Sequence, residues 1–522
     1  MADIVLLTES KISSDFNKYD EVAKISGTGN REDVLPHDIH LNIVLLGSML
    51  KVHNFDVVLI DNFLHLNNQA IRLEQELEKC PMAVGISTTF FYDGHSIRQL
   101  INFIRKKSPT SCVILGGPSL LQFPELITMG DIAVLYDGDE VIVQVMAALK
   151  KKDTDALKEI PGLWLRQDKE VFFTGERPPI EMDRIPFPDW NLLEKSRDLV
   201  YPIETQRGCP YSCKYCTYPI YNLKGGKFRL KDNQRVIDEL KRNYHEYGIY
   251  RYRICDSNFT APSKRALELS SMIIQENLKI EWSCYGRVDN VTAELALAMK
   301  EAGCKVVFVG LESGSDTILH NMNKKFTQEE IYRGTGILKE AGLYITGSFI
   351  IGFPGETEQT IKETKKVITG CGLDSYLASV FWLDHNSLIW QERDDHSLSG
   401  KAMTWSHSTM DSTQAKALLA SLLNEVFTQN GPPLGSDFDI VTLVNLGFSY
   451  KRAMQFIKDR HQINLNKTLK LAPTDYRQEK LTITRSRYTK DVMFLAKQYQ
   501  CFQSNNLDPS HLTASKKIMK AL

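Results

Sequence analysis

Three cysteines stand together in TQRGCPYSCKYCTYP, residues 205–219: Cys209, Cys213 and Cys216, spaced C-x3-C-x2-C. The chain holds ten cysteines in 522 residues. At that frequency the triple is expected only ~0.004 times by chance. Thiolates bind soft metals and iron–sulfur clusters. A structural zinc site is closed by four ligands, commonly two C-x2-C pairs. No fourth Cys or His follows closely here, and the next cysteine is Cys255. Three ligands suit a four-iron cluster that keeps one iron open, where a substrate coordinates. Tyr215, just before the last cysteine, is suited to shield one face of a ligand at that iron. Structural zinc stays the bland alternative.

The elements around the triple fit that chemistry. It follows a strand at Ile203–Gln206, the first of six apolar runs separated by helical patterns. The others are Tyr250–Cys255, Ile280–Tyr285, Lys305–Leu311, Tyr344–Ile351 and Ser375–Trp382. Six βα units predict a partial (βα)6 barrel, whose active site lies at the carboxyl ends of its strands. The first part of the chain alternates in the same way. Strands at Ile4–Leu7, Asp56–Ile60, Ala83–Ser87, Cys112–Leu115 and Ile132–Tyr136 interleave with amphipathic stretches near 39–53, 66–79, 93–107, 120–129 and 139–151. That pattern predicts a doubly wound, Rossmann-like parallel sheet. Such sheets bind ligands beyond their carboxyl ends. Three strands run into Thr88-Thr89, Gly116-Gly117-Pro118 and Asp137-Gly138-Asp139-Glu140, though turn glycines after strands are common without a ligand.

Residues 161–175 read as a β-hairpin. Residues 176–190 carry Pro178, Pro179, Pro186 and Pro188 without periodicity and read as an extended linker. After 384 the strand rhythm stops. Helices are predicted over 412–429, 450–460 and 488–502, and the basic end SKKIMKAL reads as a solvated tail. The α/β chain therefore divides into a Rossmann-like domain (1–160), hairpin and linker (161–198), barrel (199–384) and a mostly helical C-terminal region (385–522).

Composition narrows the partners. Lys+Arg is 63 and Asp+Glu is 64, a net charge of -1. That argues against nucleic-acid binding driven by bulk charge. The longest apolar runs are strand-sized, far short of the ~20 residues that span a membrane. MADIVLLTES lacks a basic start and a long apolar run. The expectation is a cytoplasmic protein with reduced thiols and no membrane partner.

Cys209, Cys213, Tyr215 and Cys216 resemble, position by position, the C-x3-C-x-aromatic-C hallmark of the radical S-adenosylmethionine (radical SAM) superfamily. Further segments resemble its motifs in the right order. They are ICDSNFT (254–260, with Asp256 and Asn258), WSCYGRVD (282–289, with Arg287), VGLESGS (309–315, with Gly310, Glu312 and Gly314) and ITGSFIIGFPGET (345–357). The resemblance covers about 200–383. It implies that Cys209, Cys213 and Cys216 hold a [4Fe-4S] cluster whose electron breaks the S–C5′ bond of SAM. It also implies that Tyr215, Asn258, Arg287, Gly310 and Glu312 line the SAM pocket, with Arg287 on the methionine carboxylate and Glu312 on the ribose hydroxyls or amino group. A plain barrel-mouth salt bridge is the other reading of Arg287 and Glu312.

A doubly wound domain before such a barrel is similar to the layout of the cobalamin-dependent class. Ser87, Thr88, Gly116 and Gly117 resemble its serine and double-glycine positions. Gly138 and Glu140 resemble its G-E-G-E-like loop. The cobalt-ligating D-x-H-x-x-G motif is not matched: Asp38-Ile39-His40 is followed by Ile43, and this stretch reads as an ordinary amphipathic helix. The class implies methyl transfer: one SAM methylates cobalt, and a second yields the radical that activates a carbon, or occasionally a phosphorus, of a small-molecule or peptide substrate. Flavodoxin or ferredoxin is the implied electron donor. A radical SAM cyclase, rearranging enzyme or oxidoreductase is the first alternative, and a non-catalytic cobalamin- or metal-binding protein the second.

Trp382, His385, Trp405 and His407, in WLDHNSLIW and TWSHSTMDS, are candidates to cap the substrate, against the reading of a loop packed on the barrel. Cys255 and Cys284 lie near strand ends, where core thiols are the commoner explanation.

Overall fold

The computed structural model describes residues 2–8, 39–61, 67–89, 94–167, 170–193, 200–221, 227–429, 431–435, 437–445, 447–468 and 490. Asp38, the basic end and, apart from 490, the expected helix over 488–502 lie outside the described residues.

The first sheet has seven strands: β1 (Ile4–Thr8), β2 (Val57–Asp61), β3 (Ala83–Ser87), β4 (Cys112–Gly116), β5 (Ile132–Val134), β6 (Leu163–Gln167) and β7 (Glu170–Phe173). Their order is β2-β1-β3-β4-β5-β6-β7. The first five are parallel and the last two antiparallel. The strands are apolar on both faces because helices cover both. Ile4, Leu6, Ile114 and Ile132 enter one core, and Val5, Leu7, Val113 and Leu115 the other. The winding reverses between β1 and β3, which is where such sheets open a crevice for a ligand. The hairpin belongs to this sheet as its antiparallel edge. The proline-rich stretch is a packed strap: Ile180, Met182 and Ile185 are buried against Leu45 and Met49 of the helix Leu41–Val52. Trp190 at its end donates to Asn243 Oδ1 of the second domain at 3.0 Å.

The second domain holds β8 (Tyr201–Ile203), β9 (Gln206–Arg207), β10 (Arg229–Leu230), β11 (Arg251–Ile254), β12 (Glu281–Gly286), β13 (Cys304–Glu312), β14 (Tyr344–Ile351) and β15 (Ser375–Val380). Six of them form one parallel sheet in the order β15-β14-β13-β12-β11-β8. Neighbours in sequence are neighbours in space, as the strands of a partial barrel must be. β9 and β10 pair separately at its mouth. Side chains alternate across each strand. Val307, Val309 and Leu311 of β13 face the outer helices, while Val306 and Phe308 meet Val444, Phe448 and Ile457. The helices Asp437–Asn445 and Tyr450–Thr468 therefore cover part of the sheet's other face.

The C-terminal region is not helix alone. β16 (Ser399–Lys401), β17 (Thr404–His407) and β18 (Met410–Asp411) form a small antiparallel sheet. The helix Ser412–Thr428 follows it, started by a capping box of Asp411 and Gln414. Among the described residues no helix is long and apolar enough to cross a membrane.

Candidate active site

Asp256, just past β11, anchors the chain entering the cysteine loop. Its carboxylate accepts from the backbone N–H of Thr205 at 2.7 Å and of Gln206 at 3.0 Å. Burial pushes that carboxyl up to about 6, against these hydrogen bonds and the nearby Arg265. The loop is pinned at mid-length as well, where Lys214 N donates to Met322 O at 2.9 Å and Lys214 O accepts from Ile389 N at 2.9 Å. Cys213 is buried, while Cys209 and Cys216 are half-buried.

Among the described residues, no three His, Cys, Asp or Glu side chains converge as ligands of a single metal ion would. Cysteines that hold separate irons of one cluster need not converge. Burial pushes the Cys209 thiol up and the Cys216 thiol up to about 12, while nearby Lys324 pulls both down. Cations beside three thiolates suit an anionic cluster. Arg287 Nη1 also lies 3.6 Å from Cys213 Sγ. The residues present fit the cluster by donor chemistry and by charge.

Beside the loop, Tyr215 donates to Glu312 Oε1 at 2.9 Å. Glu312 takes a φ of +65° at the end of β13, where the pairing with β14 slips by one residue. Its carboxylate folds back over Gly310: a Cβ there would lie 2.4 Å from Oε1, so a side chain at this position would displace the carboxylate. Lys324, 2% exposed, completes the group. Its Nζ lies 2.9 Å from Gly310 O, 3.3 Å from Tyr215 Oη and 3.4 Å from Glu312 Oε1. Arg287 is held differently. Asp289 takes it through two hydrogen bonds at 3.0 and 2.9 Å, it donates to Lys324 O, and it stacks 3.8 Å from the Tyr211 ring centroid. Asn258 is 3.4 Å from Asn290 Oδ1, which also accepts from Tyr211. The five SAM-pocket candidates thus gather around the cysteine loop. Lys324 was missed because a lysine in NMNKKF carries no pattern of its own.

A cavity of about 660 Å³ separates the carboxyl edge of the first sheet from this mouth. Ser87, Gly116, Gly117 and Gly138 line one wall, and Arg207, Gly208, Thr217 and Tyr218 the other. Asn42 Nδ2 donates to Ser87 Oγ at 2.7 Å, and this asparagine also lines the cavity. Thr88 is fully buried behind the wall, and Glu140 turns away to pair with Arg184. His40 is buried and pairs with Asp61 at 2.6 Å, just before the helix Leu41–Val52.

The tail candidates sit elsewhere. His385 is exposed, stacked on Trp390, and paired with Gly400 O at 2.8 Å. Trp405 and His407 are buried and stacked on each other, bonded to Phe381 O and Gly352 O. Trp382 is half-buried. From the same segment it is Asp384 and Asn386 that line the cavity, with Asn386 reaching Leu121 O of the first domain at 2.6 Å. Cys255 also lines the cavity, whereas Cys284 is buried in the core.

Three cysteines on a loop at the mouth of a parallel barrel, with a buried carboxylate and lysine beside them, offer thiol donors for an iron–sulfur cluster. The Radical SAM superfamily model matches residues 203–368. The chain is 31% identical over 346 residues to an uncharacterised methyltransferase of Pyrococcus horikoshii, covering 64% of this chain and 74% of that protein. It belongs to the radical SAM superfamily and is an enzyme whose cofactors include SAM and a [4Fe-4S] cluster. It is also 25% identical to the anaerobic magnesium-protoporphyrin IX monomethyl ester cyclase of Rubrivivax gelatinosus, over 62% of this chain and 61% of that one. Among solved structures it is similar to the radical SAM methyltransferase TsrM from Kitasatospora setae, solved with cobalamin and a [4Fe-4S] cluster bound. That match has a TM-score of 0.66 and 18% identity, over 90% of this chain and all of that one. At that identity the likeness is one of fold.

Proposed function

We propose that this enzyme is a cobalamin-dependent methyltransferase acting on an unactivated carbon, or a phosphorus, of a small-molecule or peptide precursor. One observation carries the reading. The cavity joins the first sheet's crevice to the cysteine loop, and Gly208 and Thr217, the direct neighbours of Cys209 and Cys216, share it with Gly116 and Gly117. A Cβ on Gly116 would meet nothing within 4 Å, so this part of the wall leaves open space beside the cavity. The names of the Pyrococcus and Kitasatospora proteins support methyl transfer, and the fold shared with the latter supports cobalamin.

When bound, the cluster on Cys209, Cys213 and Cys216 supplies the electron that opens the S–C5′ bond of SAM, and cobalamin supplies a methyl carrier. The chain's residues position SAM. Glu312 accepts from its ribose hydroxyls or amino group. Lys324 pairs with its carboxylate. Tyr215 packs beside the adenosyl group, and Asn258 closes the pocket through Asn290. Flavodoxin or ferredoxin delivers the electron. The Rubrivivax relative favours a second reading, a radical cyclisation without methyl transfer.

The test is anaerobic purification with cobalamin supplied, metal analysis, and product analysis with labelled SAM. About one cobalt and four irons per chain, with S-adenosylhomocysteine and 5′-deoxyadenosine both formed, supports methyl transfer. Four irons, no cobalt and 5′-deoxyadenosine alone would rule out cobalamin-dependent methyl transfer and leave the second reading, with a rearrangement or oxidoreduction beside it.

A further inference from the structure

The acidic loop after β5 is a joint between the domains. Arg207 of β9 reaches across to it. Its Nη1 lies 2.6 Å from Asp139 Oδ2 and 3.1 Å from Asp137 Oδ1, and its Nη2 lies 3.2 Å from Asp139 Oδ1. On its own side, Glu204 takes Nε at 2.8 Å and Nη2 at 2.9 Å. Arg229 of β10 binds the other oxygen of Asp137 at 2.6 Å and Ile180 O of the strap at 2.6 Å. The two aspartate side chains are only 4% and 5% exposed. Desolvating so many charges makes such a network weak evidence for stability, and the best-attested use of buried ion pairs is to fix register. Here the register is between two sites. Arg207 lies two residues before Cys209, and Asp137 and Asp139 flank Gly138 in the cavity wall.

We propose that Arg207 is a positioning residue: through Asp137 and Asp139 it sets the first domain's cavity on the cysteine loop and so governs which of two fates SAM meets. This rests on the cobalamin reading above. With the joint closed, the methyl carbon of SAM reaches the methyl carrier and S-adenosylhomocysteine leaves. With the joint loosened, the cluster side still holds SAM, and one-electron cleavage to methionine and a 5′-deoxyadenosyl radical takes a larger share. That radical becomes 5′-deoxyadenosine by taking a hydrogen atom from substrate or, without one, from a C–H donor of the medium.

The test compares wild type with Arg207→Lys and Asp139→Asn, each reconstituted with iron and hydroxocobalamin and given SAM and a one-electron reductant. Lysine keeps the charge but loses the planar fork that spans two carboxylates. Asparagine is nearly isosteric and serves if the lysine variant does not fold. The expected result, at equal iron per chain, is a fall of at least tenfold in the ratio of S-adenosylhomocysteine to 5′-deoxyadenosine in a folded variant. Backbone hydrogen exchange should rise together at 137–140 and 204–208. A ratio equal to wild type overturns the proposal. Exchange that rises on one side alone also overturns it, because Arg207 is then a local brace. Wild type that takes up iron but no cobalt overturns both this inference and the reading beneath it, so cobalt in the wild type tells the two failures apart.

Discussion

Both carboxylate oxygens of Asp289 hold the Arg287 guanidinium, at 3.0 and 2.9 Å. The same guanidinium also serves Lys324 O and Cys213 Sγ. An arginine committed in this way braces the cysteine loop, and the SAM carboxylate is proposed to meet Lys324, which is itself bonded to Gly310 O, Tyr215 Oη and Glu312 Oε1. Lys324 is the cation that shares the pocket with Glu312 and Tyr215. Lys324→Met is expected to weaken SAM binding about 10- to 100-fold, the loss of one charge-assisted hydrogen bond of ~1.5–3 kcal/mol, with iron retained. Arg287→Met is expected to lose iron first. Equilibrium dialysis with SAM, beside iron analysis, separates them; a lysine variant with normal SAM affinity would return the carboxylate to Arg287.

The two glycines at the end of β4 should respond oppositely to substitution. A Cβ on Gly116 meets nothing within 4 Å, whereas Gly117 has a φ of +118° and its Cβ would lie 3.1 Å from Thr88 N. Gly116→Val is expected to leave the melting temperature within about 2 °C of wild type, because it crowds only the cavity. Its cobalt content should fall sharply. Gly117→Ala should cost more than about 1 kcal/mol of stability through backbone strain. Thermal melts of the metal-free chain and cobalt analysis of the loaded one test the pair. A valine variant that still fills with cobalt would place the cofactor away from this wall.

The fold and the loop that gathers the three cysteines were legible because their signals are local. Period-2 and period-3.6 patterns and a C-x3-C-x2-C spacing do not depend on what packs against them. The roles of single polar residues were not, since those depend on distant partners. Glu140 has the right neighbours in sequence, yet Arg184 captures it. Asp139, one residue earlier, meets Arg207 across 68 positions. Tryptophan and histidine in TWSHSTMDS suggest a substrate cap, but β17 turns them into a buried stack under Gly352. The hairpin was legible as a hairpin; that it would join the first sheet at β5 was not, because edge pairing has no sequence code.

Glu356, in the GFPGET turn after β14, gives a pH signature that reaches higher than that of Asp256, whose carboxyl burial pushes only to about 6. It is fully buried and accepts from Gly352 N, and burial pushes its carboxyl from the ordinary glutamate range up to about 8. A carboxyl whose folded value is raised holds its proton more tightly in the native chain than in the unfolded one. Its contribution to stability is therefore complete at low pH, falls as pH rises from about 4.5, and is lost beyond about 8. Each unit of that shift corresponds to about 1.4 kcal/mol, so the full change is on the order of a few kcal/mol. Glu356→Gln carries no titrating group at this position. The melting temperature of wild type minus that of the variant, measured on the metal-free chain between pH 5 and 8.5, should therefore fall steadily with pH and level off near the top of the range. Parallel curves would mean that the native carboxyl is already ionised at pH 5 and that the turn, which also holds His407 at 3.0 Å from Gly352 O, is braced by a charged glutamate instead of a neutral one.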